Sequence, residues 1–423
     1  MFNREEFFKK AAPILEKLYA GRNMDAVKER YVKAIDEFEA LYGEADTLSV
    51  FSVAGRSEIC GNHTDHNRGK VLAASIDLDI IAVAAKSKDA IIRVKSAGFP
   101  EDIVDISSLS PVEAEKGKSQ ALIRGVCDGF VKRGYTIGGF SAYTTSDILG
   151  GSGLSSSAAF EDMIGTILNF FYNEGKIGYI ELSQISQYSE NVHFGKPCGL
   201  MDQIACAAGG FVYIDFEDPS SPKTSRVDFD LAGHGYSLCI VNTGGSHANL
   251  TDDYAAVPAE MKQVASFFGK PVLRGISKDE LVKNMAALRK STGDRAILRS
   301  LHFINENVRV DCLMQALKDG KIPEFLSIIQ ESGRSSAELL QNYYSPKAPE
   351  EQGISLACAI AADLLGPTGA WRVHGGGFAG TMQAFVPQEK LPTFVCSMET
   401  VFGKGSVTEL SVRPLGAVCV YHG

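Results

Sequence analysis

The 423-residue sequence has no CxxC pair, and its nine cysteines stand singly at 60, 127, 198, 206, 239, 312, 358, 396 and 419. An odd set of scattered thiols excludes a disulfide framework or a zinc ribbon and suits reduced, mostly buried side chains. No run of about eighteen apolar residues occurs, so no membrane-spanning helix and no membrane partner are expected. The opening, MFNREEFFKKAAPILEKLYA, carries acidic residues and no uninterrupted apolar core. It does not read as a signal peptide, and the cytoplasm is the expected location. Basic residues are in deficit: 42 Lys and Arg against 51 Asp and Glu give a net charge of −9 and a pI near 5.5. That balance argues against a nucleic-acid partner, which calls for a basic face, and leaves room for a local basic pocket. The commonest nucleotide signatures are missing too. Gly117-Lys118-Ser119 ends like a Walker A loop, but the opening glycine is absent because position 112 is Val112, and no protein-kinase set of catalytic-loop and DFG motifs is present.

What remains is an ordinary globular composition, 45% hydrophobic and 22% charged, on a chain long enough for two domains. Residues 5–42 place Phe8, Ala11, Ile14, Leu15 and Leu18, then Val32, Ile35, Phe38 and Leu41, at helical spacing, so residues 1–46 read as a helical extension. Val- and Ile-rich stretches at 48–55, 71–86 and 90–96 then predict strands, followed by helices near 119–133, 156–174, 181–192 and 201–208. Further strands are expected at 211–216, 236–243, 370–374, 381–386 and 407–412, with 252–346 almost wholly helical and a helix near 389–402. Pro, Ser and Gly in 225–235 mark a boundary between units 47–230 and 231–423.

Four segments carry chemistry. LGGSGLSSSAAFEDMIGTIL (149–168) sets glycines and three serines before a helical pattern. It is either a phosphate cradle, with free N–H groups and hydroxyls from Ser155, Ser156 and Ser157, or a flexible turn with a serine cap. HGGGFAGTMQAFVP (374–387) is either a tight turn or a place where backbone closely approaches the first loop or a ligand. GRSEICGNHTDHNRGKV (55–71) gathers Arg56, Asn62, His63, Asp65 and His66, donors and acceptors that suit a sugar or a solvated loop. In SENVHFGKPCGLMDQIACAAGG (189–210), Asp202 opens an apolar helical run, where a carboxylate serves as cap or as catalyst.

Taken together and in order, these segments resemble the GHMP kinase superfamily and, within it, the galactokinases. The segment at 55–71 resembles GRxNLIGEHTDYNGG, that at 149–158 PxGxGLSSSA, that at 198–203 CGIMDQ and that at 375–380 GGGFGG. NLTDDYAAVPAEMKQVASFFGK (249–270) and LHFINENVRV (301–310) look like galactokinase segments as well. The resemblance implies an α+β, two-domain GHMP kinase fold, with an N-terminal ribosomal-S5-like domain that binds sugar and nucleotide and a C-terminal ferredoxin-like domain with added helices. It implies an ATP-dependent sugar 1-kinase, most simply one acting on galactose, that uses ATP and Mg2+ and works as a monomer or weak oligomer. Asp202 and Arg56 are the implied catalytic pair. Asn62, His63, Asp65 and Tyr254 are the implied sugar residues, and Gly151, Ser152, Gly153, Leu154, Ser155, Ser156, Ser157 and Ala158 the implied ATP-binding loop. Ser157 and Glu190 are the implied magnesium ligands.

The sequence departs from the family pattern where Asn62 replaces the acidic residue expected near the sugar 6-hydroxyl, and where Glu58 replaces the usual asparagine. Kinases of galacturonate, L-arabinose or N-acetylgalactosamine therefore stand as alternatives. Leu149 replaces the opening proline of the phosphate motif, Ser119 and Leu122 stand where aromatics are frequent, and His374 and Ala379 depart from the C-terminal motif. A non-catalytic sugar and ATP sensor is a further alternative, but the damage it would show is absent from Ser156, Ser157, Ala158 and Asp202.

Overall fold

Every residue of the first strand, β1 (Ser49–Cys60), is buried, although strand alternation would ordinarily leave one face wet. Helices on both faces explain this. Val50 packs under the N-terminal helices α1 (Arg4–Leu18) and α2 (Met24–Tyr42). Phe51 and Val53 point the other way, into the core shared with α3 (Ser119–Lys132) and α4 (Ser156–Asn173). The N-terminal extension is thus half of the sheet's cover. Its buried stripe is Phe7, Ala11, Leu15 and Leu18, then Tyr31, Ala34, Ile35 and Phe38; Phe7 takes the place expected of Phe8, and Leu41 is exposed. A buried hub ties it down: Asp79 accepts from Tyr19 Oη at 2.5 Å, Arg30 at 2.6 Å and Arg413 at 3.0 Å.

The computed structural model describes residues 2–45, 47–148, 153–245 and 250–422. Within them β1 pairs with β2 (Lys70–Lys86), and the first sheet adds β3 (Ile91–Ser96), β4 (Glu101–Asp105), β5 (Phe140–Ser146), β6 (Phe211–Asp215) and β7 (Lys223–Val227). All its pairings are antiparallel except β3 with β5, which run parallel. Helices α5 (Tyr179–Tyr188) and α6 (Met201–Ala208) pack beside α4. The chain leaves this sheet in 228–235 and enters a second one with β8 (Tyr236–Asn242).

Five helices follow: α7 (Thr251–Phe267), α8 (Lys278–Lys283), α9 (Met285–Ser291), α10 (Asp294–Lys318) and α11 (Ile322–Ser335). After α12 (Gly353–Leu365) come β9 (Ala370–Val373), β10 (Thr381–Pro387), α13 (Leu391–Phe402) and β11 (Val407–Leu410), giving an antiparallel second sheet in the order β11-β8-β10-β9. The last strand, β12 (Val418–His422), returns to the first sheet and pairs antiparallel with β1, Ser49 facing His422. Among the described residues no helix is long and apolar enough to cross a membrane.

The strands expected from Val and Ile content are present. Those not expected are β4, β5, β7 and β12, short segments whose pairing partners, rather than their composition, make them strands. Helix α12 also went unforeseen. The long helix α10 joins the two halves: Glu306 accepts from the Gly61 amide at 3.2 Å and from Ser332 Oγ at 2.5 Å, and His302 Nε2 donates to the Asn62 carbonyl at 3.0 Å.

Candidate active site

Strand alternation puts Arg56 and Glu58 on the same side of β1. Arg56 Nε donates to Asp202 Oδ1 at 2.8 Å, and its Nη1 donates to the Gly153 carbonyl. The second Asp202 oxygen accepts from Ser155 Oγ at 2.5 Å. Asp202 lies in the first turn of α6, so one carboxylate links β1, the glycine-serine loop and α6. Burial works against the Arg56 charge, and Asp202 more than offsets it, holding the guanidinium above its ordinary range.

Ser155 precedes α4 in a left-handed conformation, φ 62°, which costs a non-glycine residue on the order of 1 kcal/mol. Its hydroxyl serves Asp202 instead of capping the helix, and among the described residues no side-chain hydrogen bond caps the start of α4. The helix therefore presents uncapped amides to the cleft, the usual requirement for a phosphate. Ser156 is exposed, Ser157 half-buried, and Leu154 and Ala158 buried. Gly151 and Ser152 lie outside the described residues.

Glu190 sits in a π-helical turn, Ser189–Phe194, of the kind often found at functional sites. Its oxygens accept from Lys196 Nζ at 3.2 Å and Gln203 Nε2 at 3.1 Å. Gln203 also donates to Glu161 Oε2 at 3.2 Å, while the fully buried Glu161 Oε1 has no partner among the described residues. Burial and the neighbouring Glu190 raise the Glu161 carboxyl well above the carboxylate range. Ser157 and Glu161 are one helical turn apart on the same face of α4. Ser157, Glu161 and Glu190 offer hard oxygen atoms of the kind a magnesium ion takes. Among the described residues no group of three or more His, Cys, Asp or Glu is placed to hold a metal ion.

On the other side, Asp65 accepts from His66 Nδ1 at 2.9 Å, and its Oδ2 would be 2.3 Å from a Cβ at Gly199. Only glycine there lets Asp65 reach the loop that leads to Asp202. Burial alone would raise the Asp65 carboxyl; the histidines bring it down to about 2. The three glycine carbonyls of 375–377 are clasped by side chains. Asn62 Nδ2 donates to Gly375 at 2.6 Å, His63 Nε2 to Gly376 at 2.8 Å, Asn342 Nδ2 to Gly376 at 3.1 Å and Tyr254 Oη to Gly377 at 2.8 Å. A Cβ at Gly377 would stand 2.2 Å from the Asn342 carbonyl, so the close backbone approach is to the first loop and the 342 turn.

His63 and Tyr254 flank this clasp, but Asn62 does not face the cleft as a sugar residue would. It is fully buried; its amide also donates to Glu58 at 3.1 Å, and its oxygen accepts from Asn342 at 2.7 Å. Glu58 in turn meets the buried Arg372 at 3.0 Å. Sequence reading had no place for Glu161, Gln203, Lys196 or Arg372. For Glu161 a signal existed, its i+4 spacing from Ser157; for Arg372 there was none.

His374 Nδ1 and Nε2 lie 3.2 Å from Thr381 Oγ1 and 3.1 Å from Ser57 Oγ, and burial holds this histidine neutral well below its ordinary range. In the unfolded chain it takes a proton near pH 6.5, so its contribution to stability is present above that pH and falls on acidification. The stability of wild type relative to His374→Gln is expected to drop by about 1 kcal/mol between pH 7.5 and 5.5. Denaturant melts of both proteins at the two pH values test this, and a constant difference would contradict it.

Two family descriptions match the chain: the galactokinase galactose-binding signature over residues 36–86 and the GHMP kinases N terminal domain over 121–210. A galactokinase from Glaesserella parasuis is 32% identical over 363 residues, 84% of this chain and 89% of that protein. One from Streptomyces coelicolor is 28% identical over 370 residues, 87% and 92% of the two chains. In fold, the chain is similar to Lactococcus lactis galactokinase complexed with galactose, with TM-score 0.77 and 22% identity over 92% of this chain and 99% of that one. A mevalonate kinase shares the fold at TM-score 0.59 and 14% identity, over 86% and 98%. The chain belongs to the galactokinase family of the GHMP kinases.

Proposed function

We propose that the protein transfers the γ-phosphoryl group of ATP to the anomeric hydroxyl of galactose. The observation that carries this reading is the contact of Asp202 with both Arg56 and Ser155, which sets a carboxylate against the phosphate loop while Asp65 lies against Gly199. Asp202 orients the hydroxyl and accepts its proton. The bond from the anomeric oxygen to phosphorus forms as the bond to the β,γ-bridging oxygen breaks, and that electron pair leaves on ADP. Arg56 offsets the charge at the entering oxygen, and the uncapped start of α4 holds the phosphates; alignment and charge carry most of such a reaction. Mg2+, held by Ser157 and Glu190, would supply further charge neutralisation at the phosphates. His63, Asp65 and Tyr254 take the sugar, and the reading includes a cytoplasmic location.

A second reading is favoured by Asn62. With every polar atom of that side chain used inside the protein, it offers nothing to a 6-hydroxyl; L-arabinose, which has none, or galacturonate, with a carboxylate in its place, would replace galactose, and N-acetylgalactosamine, which keeps that hydroxyl, serves as a comparison. An ADP-release assay across these sugars, with phosphorus NMR of the product, tests both. Turnover with galactose and phosphate on C1 supports the first reading; turnover confined to another sugar removes it.

A further inference from the structure

Two carboxylates, Asp202 and Glu190, stand at the cleft, and the fully buried Glu161 is joined to Glu190 through Gln203. Two cations touch them. Arg56 is fixed by its contacts with Asp202 and the Gly153 carbonyl, and its side chain is nearly buried. Lys196 differs. Its side chain is 64% exposed, yet its ammonium meets a Glu190 side chain that is only 3% exposed. The backbone beneath it is anchored, because the Gly195 and Lys196 amides both donate to the Glu190 carbonyl, at 3.0 and 3.1 Å, and Pro197 follows. A pinned Cα with a solvated, singly paired ammonium is a side chain that can exchange one anion for another at little cost.

A nucleotide bringing several negative charges toward Asp202 and Glu190 meets repulsion that Arg56, already engaged, does not remove. If Glu190 turns to the metal, Lys196 loses its anion at the moment a phosphate arrives beside it. We propose that Lys196 is a catalytic residue that leaves Glu190 for the transferring phosphoryl group, providing the second protein cation opposite Arg56. A lysine ammonium is a compact point charge suited to phosphate, and charge placed where it develops in the transition state is what lowers such barriers. The inference rests on the phosphoryl-transfer reading above.

The test uses the full chain with Lys196→Met and Lys196→Arg, measuring kcat for the sugar and, by calorimetry, the affinities for MgADP and for the magnesium complex of a non-hydrolysable ATP analogue. The methionine variant is expected to lose about 10- to 100-fold in kcat and about 10-fold in affinity for the triphosphate analogue. Its MgADP affinity stays at the wild-type value, which also reports an intact fold, and the arginine variant recovers most of the loss. Wild-type kcat in the methionine variant, or an equal loss for diphosphate and triphosphate, overturns the proposal. Wild-type protein that binds neither nucleotide removes the phosphoryl-transfer reading and this proposal with it, whereas wild-type turnover beside an unaffected methionine variant removes only the proposal.

Discussion

Replacement of Asp202 by alanine or asparagine is expected to lower kcat by about 1,000-fold or more while MgADP binding persists. A positioned base is worth roughly 100- to 10,000-fold, and here the same carboxylate also fixes Arg56 and Ser155. The two variants separate these roles. Asparagine keeps an oxygen for Arg56 or Ser155 but accepts no proton, so the fold is preserved and turnover is lost. Alanine also leaves the Arg56 guanidinium, itself largely buried, without its carboxylate, and thermal stability should fall as well. Steady-state kinetics with calorimetric ADP titration reads both effects, and retained turnover in Asp202→Asn would move the chemistry to another group.

The largest expected loss of stability is at Arg372. This side chain is completely buried on β9, where it donates to Glu58 Oε1 at 3.0 Å and to the Ile59 carbonyl at 2.6 Å. Arg372→Met leaves the Glu58 carboxylate buried without its arginine partner, a change that costs about 3–5 kcal/mol. Removing both charges together, Arg372→Met with Glu58→Leu, should cost less than the single arginine change, because no orphaned ion remains. Denaturant unfolding of the two variants provides the comparison, and equal stability of Arg372→Met and wild type would show that the pair contributes nothing.

The same pair shows how far the sequence could be read. Glu58 and Asn62 were visible as departures from the family pattern, and Asn62 was expected at the sugar because of its place in the motif. What a motif cannot display is the partner. Asn62 is turned inward by the Gly375 carbonyl and by Asn342, groups that lie far along the chain, and Glu58 by Arg372 in a strand with no marking feature. Pairings that the family resemblance implied were more legible, even across long stretches of chain. Asp202 and Arg56 meet, the glycine triplet approaches the first loop, and the serines precede a helix. Strands set by Val and Ile content were recognisable, but β5 and β12 were not, since pairing across the sheet, not composition, decides short strands.

β12 closes the free edge of β1, the strand that bears Arg56, and it is encoded almost a whole chain later. At roughly 5–20 residues per second of synthesis, the ribosome holds that edge open for on the order of tens of seconds. An unpaired edge next to apolar side chains is a template for wrong pairing, and the first sheet cannot be finished before residues 418–422 have been synthesised. Completion of the first sheet thus waits for residues 418–422 to be made, and the interval before it is when the nascent β1 edge is most exposed to aggregation.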